Sequence, residues 1–444
     1  MSIKKLFAVI FCAALCCAVF AEEFTFNITS NLKEPFCKVG EKVVFTADIK
    51  KDGKPAAGTL VRATFTFNSK TVKWIKKADA AQTFKFEYTP TAPGWVSLRL
   101  NVVDEKGAIR SQKIVKNGRT SSKFISAGYG VMVEPEKLAP TMDEPADFDE
   151  FWNGVKAELT KTPVKVLDKK TIKHAKLQIY DIKVACAGDK PVSGYLAMPK
   201  NAKPKSCPAY VSFHGAGVGS AYIAHSLAAS GIITFDINAH GIENGNPRAF
   251  YDKLKNEYYL PKGKAGYPHW GKEDRNSFYF KGMFMRVMRA LEYVKSLPEW
   301  DGKHLIVSGS SQGGAQVLVA CAMDKDITLA RCEVPAMCDH SGCIAGHVSG
   351  WPKLYNFKKD KVDNPKAQKC GSYYDGVFFA KRIKCPIYFS TGGWDFTCPP
   401  TSVYRAYNNI PDGVFKSIVF TPGGNHGGSK TNLFVPALNK HRKE

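Results

Sequence analysis

The sequence lacks the features that mark fibrous, disordered and membrane-spanning proteins. It has no internal repeat and no low-complexity tract, and beyond its first residues no stretch is long and apolar enough to cross a bilayer. Its 444 residues are 44% hydrophobic, 12% aromatic and 23% charged, a balance that excludes intrinsic disorder, collagen-like repeats and coiled coil. A globular chain of this length is expected to form about two or three domains.

Acidic residues are scarce, with 40 Asp and Glu against 63 Lys and Arg. The net charge of +23, or +21 without Lys4 and Lys5, would suit nucleic acid, an acidic lipid surface or an anionic polymer. The lysine clusters are short and scattered, and no nucleic-acid-binding motif accompanies them. We therefore expect a well-solvated surface and no nucleic-acid partner.

Residues 1–21 have the three parts of a secretory signal peptide. Lys4 and Lys5 form the basic region, Leu6 to Cys17 form the apolar region, and small residues ending at Ala21 form the cleavage site. The apolar part is too short to span a membrane. The pattern predicts cleavage after Ala21 and a secreted or periplasmic protein without a membrane span.

Ten cysteines remain after this signal peptide, and export permits disulfide bonds. Seven of the ten lie in the C-terminal half, so one or two bridges are expected there, with a pairing that the sequence leaves open. No Cys-x2-Cys pair or His-x3-His spacing occurs near them, and we expect no metal site.

Residues 22–122 show short alternating runs separated by turn residues and no helical period, which predicts an all-β immunoglobulin-like sandwich domain. Asp52-Gly53 predicts a hairpin turn. The polar, basic stretch from Lys113 to Lys123 is interpreted as the linker to the next domain. The predicted strands are Val43–Ile49, Leu60–Phe67, Phe84–Tyr88 and Trp95–Val103.

Residues 123–444 alternate strand and helix signals. A helix is expected to begin near Pro145–Trp152, and Phe284–Leu297 has helical spacing that stops at Pro298. Apolar strands separated by helices indicate an α/β fold, a mostly parallel sheet with helices on both faces. The predicted strands are Tyr210–Phe213, Ile232–Asp236, His304–Ser308, Pro386–Ser390 and Ser417–Phe420.

The third of these strands runs directly into Gly309-Ser310-Ser311-Gln312-Gly313-Gly314, followed by a helical run. This is a Gly-x-Ser-x-Gly elbow in its required context of strand, tight turn and helix. The glycines let strand and helix pass closely, and the turn lifts the Ser311 hydroxyl above the sheet. Ser311 is therefore the candidate nucleophile.

A serine nucleophile needs a base and a carboxylate that orients the base. Asp395 follows the fourth strand and His426 follows the fifth, in the order Ser, Asp, His of the α/β-hydrolases. The alternatives are a helix-capping carboxylate and a surface histidine. A loop of glycines after Phe213 supplies a backbone N–H, so the Ala216 and Gln312 amides are predicted to form an oxyanion hole.

These residues and several flanking motifs resemble carbohydrate esterase family 7, the acetyl xylan esterase / cephalosporin-C deacetylase family of the α/β-hydrolase superfamily. The resemblance covers about two thirds of the chain, from Ala146 onward. Its most specific parts are the Ser-Gln-Gly-Gly block and a Cys-Pro-Pro loop beside the acid. The motifs that carry it are Pro145–Trp152, Ser193–Pro199, Phe213–Gly215, Leu297–Asp301, Gly309–Gly314 and Gly393–Ser402.

The resemblance implies the same triad and the same oxyanion hole, although the family usually has tyrosine at the position of Ala216. It also implies that no cofactor is needed. The implied reaction is removal of acetyl groups from acetylated xylo-oligosaccharides or polysaccharides. The family's Arg-Gly-Gln is replaced by Asn238 to Gly241, where His240 is expected to rebuild the lost support and contact substrate. Family members are often hexameric. The added sandwich leaves the oligomeric state of this chain open.

An aromatic loop between strand and nucleophile contains Tyr258, Tyr259, Tyr267, His269 and Trp270. It suits either stacking on sugar rings or a packed insertion. From it we predict Tyr267 and Trp270 as substrate contacts, together with His240 and with Trp394, which is beside the acid.

The same triad would also serve a feruloyl or glucuronoyl esterase or an exopeptidase. An alternative of a different class is a carbohydrate-binding or adhesion protein with an inactive hydrolase half. The intact Ser311, Asp395 and His426 argue against it, because an inactive relative would be free to lose one of them.

Overall fold

The computed structural model describes residues 23–78, 83–116, 119–259, 266–427 and 434–441. The predicted signal peptide, residues 1–21, lies outside them. The strands of the N-terminal part are β1 Phe24–Ser30, β2 Phe36–Cys37, β3 Val43–Lys51, β4 Lys54–Pro55, β5 Leu60–Phe67, β6 Lys70–Lys77, β7 Phe84–Tyr88, β8 Gly94–Val102, β9 Ser111–Lys116, β10 Arg119–Phe124 and β11 Ser126–Val133.

Two sheets enclose the N-terminal core, which confirms the predicted β-sandwich. One sheet has the order β2–β11–β8–β5–β6, and in the other β3 pairs with β1, β4 and β7. Alternate residues of β3 and β8 face inward, so Val43, Phe45, Val96 and Leu98 are all fully buried.

The boundary predicted at residue 122 is wrong, because the sandwich continues to Val133. Strand β11 pairs antiparallel with β8 from Ser126↔Asn101 to Val133↔Gly94. The segment interpreted as a linker contains the hairpin of β9 and β10, in which Lys113 and Lys123 are exposed. Exposed basic residues occur both in linkers and in hairpins whose strands face solvent. Composition alone therefore does not distinguish a linker from a hairpin in this segment.

The C-terminal part alternates strands and helices. Its helices are α1 Phe148–Thr160, α2 His225–Ala229, α3 Arg248–Tyr258, α4 Tyr279–Lys295, α5 Gln312–Met323, α6 Pro365–Ser372, α7 Gly376–Ala380, α8 Pro400–Asn408 and α9 Phe434–His441. Its strands are β12 Val166–Ile172, β13 Leu177–Val184, β14 Val192–Pro199, β15 Cys207–Phe213, β16 Ile233–Ile237, β17 Trp300–Ser310, β18 Leu329–Glu333, β19 Phe357–Lys358, β20 Lys361–Val362, β21 Ile387–Gly392 and β22 Lys416–Thr421.

The large sheet has the order β12–β13–β14–β16–β15–β17–β18–β21–β22. The six strands from β16 to β22 in that order are parallel, and β12, β13 and β14 add an antiparallel wing. The carboxyl ends of β15, β17, β21 and β22 therefore meet at one edge, where the predicted chemistry-bearing loops begin.

Both faces of this sheet are covered, as the sequence predicts. On β15, Val211 joins the main core with α4 and α5, whereas its neighbour Tyr210 packs in a second cluster with Phe434 and Leu438 of α9. No helix in the described ranges is both long and apolar enough to cross a bilayer.

The predicted disulfide bonds are not formed. The ten cysteines among the described residues are free thiols, and Sγ of Cys321 and Sγ of Cys385 lie 3.7 Å apart. Most are buried in the core of the C-terminal part, where burial raises the pKa of thiols such as those of Cys332 and Cys338. These cysteines act as small apolar side chains.

Candidate active site

Ser311 occupies the sharp turn between β17 and α5, with φ 60° and ψ −121°. The turn is tight enough that its glycines cannot carry a side chain. A Cβ on Gly309 would lie 2.3 Å from the Gly313 carbonyl oxygen, and one on Gly313 would lie 2.0 Å from the Phe213 carbonyl oxygen. Steric exclusion at both positions accounts for the Gly-x-Ser-x-Gly pattern.

The unusual backbone of Ser311 is held from both sides. Its N–H donates to the Glu333 carbonyl at 2.9 Å, and its own carbonyl accepts from the Ala315 and Ala336 amides at 3.1 Å and 2.9 Å. Residues at and beyond the end of β18 thus tie the nucleophile to the sheet. A positive φ at a non-glycine residue persists only where the surroundings fix it.

The three predicted triad residues meet above the sheet edge. Nε2 of His426 lies 2.9 Å from Oγ of Ser311, and Nδ1 lies 2.8 Å from Oδ2 of Asp395. The other Asp395 oxygen accepts the amides of Thr397 and Cys398 at 2.8 Å and 3.0 Å. Asp395 is buried and the His426 side chain is 34% exposed, so the acid is fixed while the base remains open to solvent. This arrangement can deprotonate the serine as it attacks a carbonyl.

The loop after β15 lies over the nucleophile. A Cβ on Gly215 would lie 3.6 Å from Cβ of Ser311, and Ala216 is exposed. Gln312 supplies the first amide of α5, next to the nucleophile. Within the described ranges, neither the Ala216 nor the Gln312 amide donates to a protein acceptor. Both donors of the predicted oxyanion hole remain available to a substrate, and their role stays a prediction.

Two histidines hold this loop, and His214 is the first. Its Nδ1–H donates to the Gly215 carbonyl at 2.7 Å, and its Nε2 accepts the Ala239 amide at 3.0 Å. Each nitrogen has one defined role, which fixes the neutral tautomer. His214 therefore ties the loop to the end of β16.

His240 is the second, and the structure corrects its predicted role as a substrate contact. Its Nε2–H donates to the Gly217 carbonyl at 2.9 Å, while Nδ1 accepts from the Tyr279 hydroxyl at 2.6 Å. The side chain is completely buried, and burial lowers the pKa of His240 to about 3. His240 is a neutral brace beneath the loop.

Tyr267 is also wrong as a sugar platform, because its ring is fully buried. Its hydroxyl donates to Oε1 of Gln312 at 2.7 Å, which orients the residue after the nucleophile. The aromatic loop is thus a packed insertion at this point. The ring of Tyr267 also packs 4.7 Å from that of His240.

Trp270 packs among other aromatic side chains. Its ring centroid is 5.5 Å from those of both Tyr258 and Tyr279. The same three residues help to line a cavity of about 420 Å³ whose lining includes none of the triad residues. The role of Trp270 as a substrate contact stays a prediction.

Trp394 remains a predicted substrate contact. It immediately precedes Asp395, is partly exposed, and donates its Nε1–H to the Gly423 carbonyl at 2.8 Å. Among the described residues, no group of three or more His, Cys, Asp or Glu side chains converges as a metal site would require. Sequence reasoning missed Tyr279, whose role appears only through its contact with His240.

Comparison with known proteins identifies the family. Residues 133–435 match the acetyl xylan esterase (AXE1) family. The chain belongs to the acetyl xylan esterase family. The match begins where β11 ends, in agreement with the boundary seen in the structure. Membership places the chain among the carboxylic ester hydrolases of the α/β-hydrolase fold and confirms the resemblance read from its motifs.

Individual members of the acetyl xylan esterase family support this assignment. The acetyl esterase Axe7A of Xylanibacter ruminicola is 33% identical over 297 residues, which are 66% of this chain and 66% of that protein. The acetyl xylan esterase from Paenibacillus sp. R4 is 26% identical, with a TM-score of 0.58 over 70% of this chain and 98% of that one.

Acetyl xylan esterase 1 from Thermoanaerobacterium sp. JW/SL YS485 matches at a TM-score of 0.57 and 23% identity. The match covers 70% of this chain and 96% of that one. This likeness confirms the fold.

Proposed function

We propose that this chain is a secreted serine esterase that removes O-acetyl groups from xylan or xylo-oligosaccharides through an acyl-enzyme intermediate. The observation that carries the proposal is the chain of two hydrogen bonds that links Ser311 Oγ to His426 at 2.9 Å and His426 to Asp395 at 2.8 Å. Ser311 lies at an elbow within the residues that match the family. The names of the related proteins, acetyl esterase and acetyl xylan esterase, support acetyl as the acyl group.

In the first half-reaction, Nε2 of His426 accepts the proton of the Ser311 hydroxyl as Oγ attacks the acetyl carbonyl carbon. Asp395 holds Nδ1–H and stabilises the imidazolium that forms. The carbonyl oxygen becomes an oxyanion, which the Ala216 and Gln312 amides stabilise by donating hydrogen bonds. His426 then returns its proton to the departing sugar oxygen, and the acetyl group stays on Ser311.

In the second half-reaction, water replaces the sugar. His426 removes a proton from the water as it attacks the acetyl-serine carbonyl, and the same two amides stabilise the second oxyanion. Collapse of this intermediate transfers the proton to Ser311 and releases acetate. The partly exposed His426 ring leaves this water a path to the base.

Acetate release from acetylated xylo-oligosaccharides tests the proposal, with methyl ferulate and a methyl glucuronate ester assayed in parallel. Ser311→Ala removes the nucleophile, and Ser310→Ala is the matched control at the neighbouring position. We expect acetate release by wild type and Ser310→Ala, and its loss in Ser311→Ala.

The other outcomes separate the alternatives. Turnover of ferulate or glucuronate but not acetate would keep the nucleophile and overturn the proposed acyl group. Inactivity of folded wild type on all three esters would overturn the esterase proposal. Binding to the polysaccharide without turnover would then favour the carbohydrate-binding alternative.

A further inference from the structure

The outer face of the sandwich sheet packs against the two loops that carry the catalytic acid and base. Residues of β8 alternate, so Val96 and Leu98 face the sandwich core while Trp95 and Arg99 face the hydrolase part. Trp95 is completely buried, although it lies outside the sandwich core. The contact therefore has its own apolar centre, in which Trp95 packs with Met132, Leu138 and Tyr404.

Trp95 binds the acid loop directly. Its indole Nε1–H donates to the Gly393 carbonyl at 2.6 Å, and Gly393 lies two residues before Asp395. The Trp95 ring centroid is 4.8 Å from that of Phe396, on the other side of the acid. The Arg99 guanidinium lies 5.2 Å from the same Phe396 ring. Side chains of β8 thus contact the chain two residues before and one residue after Asp395.

Strand β11 makes the second contact, with its backbone. The Gly130 amide donates to the Pro422 carbonyl at 2.9 Å, on the loop that leads to His426. A Cβ on Gly130 would lie 1.8 Å from the Gly393 carbonyl oxygen, and one on Gly128 would lie 2.5 Å from Cγ of Trp394. Only glycine at these two positions permits so close an approach.

The two loops are also bonded to each other. The Gly393 amide donates to the Thr421 carbonyl at 2.8 Å, and the Trp394 amide donates to the Gly424 carbonyl at 3.0 Å. A displacement of one loop is therefore transmitted to the other. Gly393 is the shared point, because it also accepts the Trp95 hydrogen bond.

We propose that the sandwich domain aligns Asp395 with His426, and that Trp95 and Gly130 are positioning residues for the triad. This proposal rests on the proposed function of the triad. Trp95 fixes the carbonyl of Gly393, and Gly130 fixes the loop of His426 relative to it. A misplacement of about 1 Å at reacting groups costs about 10²-fold in rate even when substrate still binds. The sandwich is then part of the catalytic apparatus and not a passive spacer.

The test compares Trp95→Phe and Gly130→Ala with wild type in the full-length chain. Trp95→Phe keeps a buried ring but leaves the Gly393 carbonyl without its donor. Phe86→Leu is the matched control, because Phe86 is also buried in the sandwich core and its ring packs 5.7 Å from that of Trp74 on β6. Active-site titration with a phosphonate ester counts competent enzyme, so that kcat refers to folded sites alone.

We expect kcat to fall about 10- to 100-fold in both variants, with KM within about twofold of wild type. Phe86→Leu should lower thermal stability and leave kcat per titrated site unchanged. The downfield proton resonance of the hydrogen bond between His426 and Asp395 should shift or broaden in Trp95→Phe and remain in the control.

Wild-type kcat per site and an unchanged resonance in Trp95→Phe would overturn the positioning role, even if the protein melts earlier. If Gly130→Ala does not fold, the kcat per site and the proton resonance of Trp95→Phe alone test the proposal. Activity retained by Ser311→Ala would instead overturn the proposed triad, so the two failures are distinguishable.

Discussion

Replacing His240 with leucine would remove both hydrogen bonds that brace the oxyanion loop while keeping an apolar side chain in the buried site. The Gly217 carbonyl and the Tyr279 hydroxyl would each lose a partner that now lies within 3 Å. The Tyr279 hydroxyl also bonds Tyr258, so the main loss is at the Gly217 carbonyl. Leaving a buried polar group unpaired costs about 1–3 kcal/mol, and the free energy of unfolding should fall by about that amount. Gly217 directly follows Ala216, and loss of one oxyanion donor costs about 10²–10³ in kcat.

The assay measures kcat and KM on 4-nitrophenyl acetate, together with urea unfolding to confirm that the variant is folded. Tyr279→Phe is the control, because it removes only the partner of Nδ1 and leaves the bond from Nε2 to Gly217. We expect at least a 10²-fold loss of kcat in His240→Leu and a much smaller loss in Tyr279→Phe. A folded His240→Leu enzyme with kcat within twofold of wild type would refute the bracing argument.

Three further predictions follow from the same geometry. Asp395→Asn should lower kcat by about 10⁴-fold with unchanged circular dichroism, because the imidazole loses its orienting acceptor. Gly313→Ala should give no soluble folded protein, since its Cβ would lie 2.0 Å from the Phe213 carbonyl oxygen. Gly282→Ala on α4 is the control and should fold normally, because the nearest atom to its Cβ would be 3.5 Å away. Burial lowers the pKa of His347 to about 3, so the native state binds fewer protons at this site than the unfolded state between about pH 3 and 6.5. The contribution of His347 to stability is therefore present above pH 6.5 and lost as the pH falls. His347→Gln should reduce the slope of the free energy of unfolding against pH by up to about 1.4 kcal/mol per pH unit. Urea unfolding from pH 4 to 7 measures this slope.

The meeting of the three predicted triad residues was predictable because its signals are local. The glycines around Ser311 are required by contacts within one strand–turn–helix unit, and Asp395 and His426 each follow a recognisable apolar strand. Parallel strands bring those strand ends to one edge without any further information. The structure then places the three side chains within hydrogen-bonding distance.

The domain boundary was not predictable in the same way. Strand β11 contains Gly128 and Gly130, which weaken a strand pattern, yet both are required by contact with the acid loop. The residues that require them, Trp394 and Gly393, lie about 265 residues further along the sequence. Strand β18, Leu329–Glu333, was missed as well, although it lies between β17 and β21 in the sheet.

Two of the four predicted substrate contacts, His240 and Tyr267, failed for a related reason. Aromatic and histidine side chains occur both in sugar-binding surfaces and in packed insertions, and their sequence pattern is the same in the two cases. Only the fold shows that His240 and Tyr267 are buried and bonded to the oxyanion loop and to Gln312. The cysteines gave a similar ambiguity between disulfide bonds and apolar packing.

The acyl-enzyme is the central claim, and rapid acid quench during turnover of 4-nitrophenyl acetate tests it most directly. Peptide mass spectrometry then locates any acetyl group on the protein. We predict one acetyl group on the peptide that carries Ser311, and none on the same peptide from Ser311→Ala. An acetyl group on a different residue in active enzyme, or equal labelling of Ser311→Ala, would contradict the account.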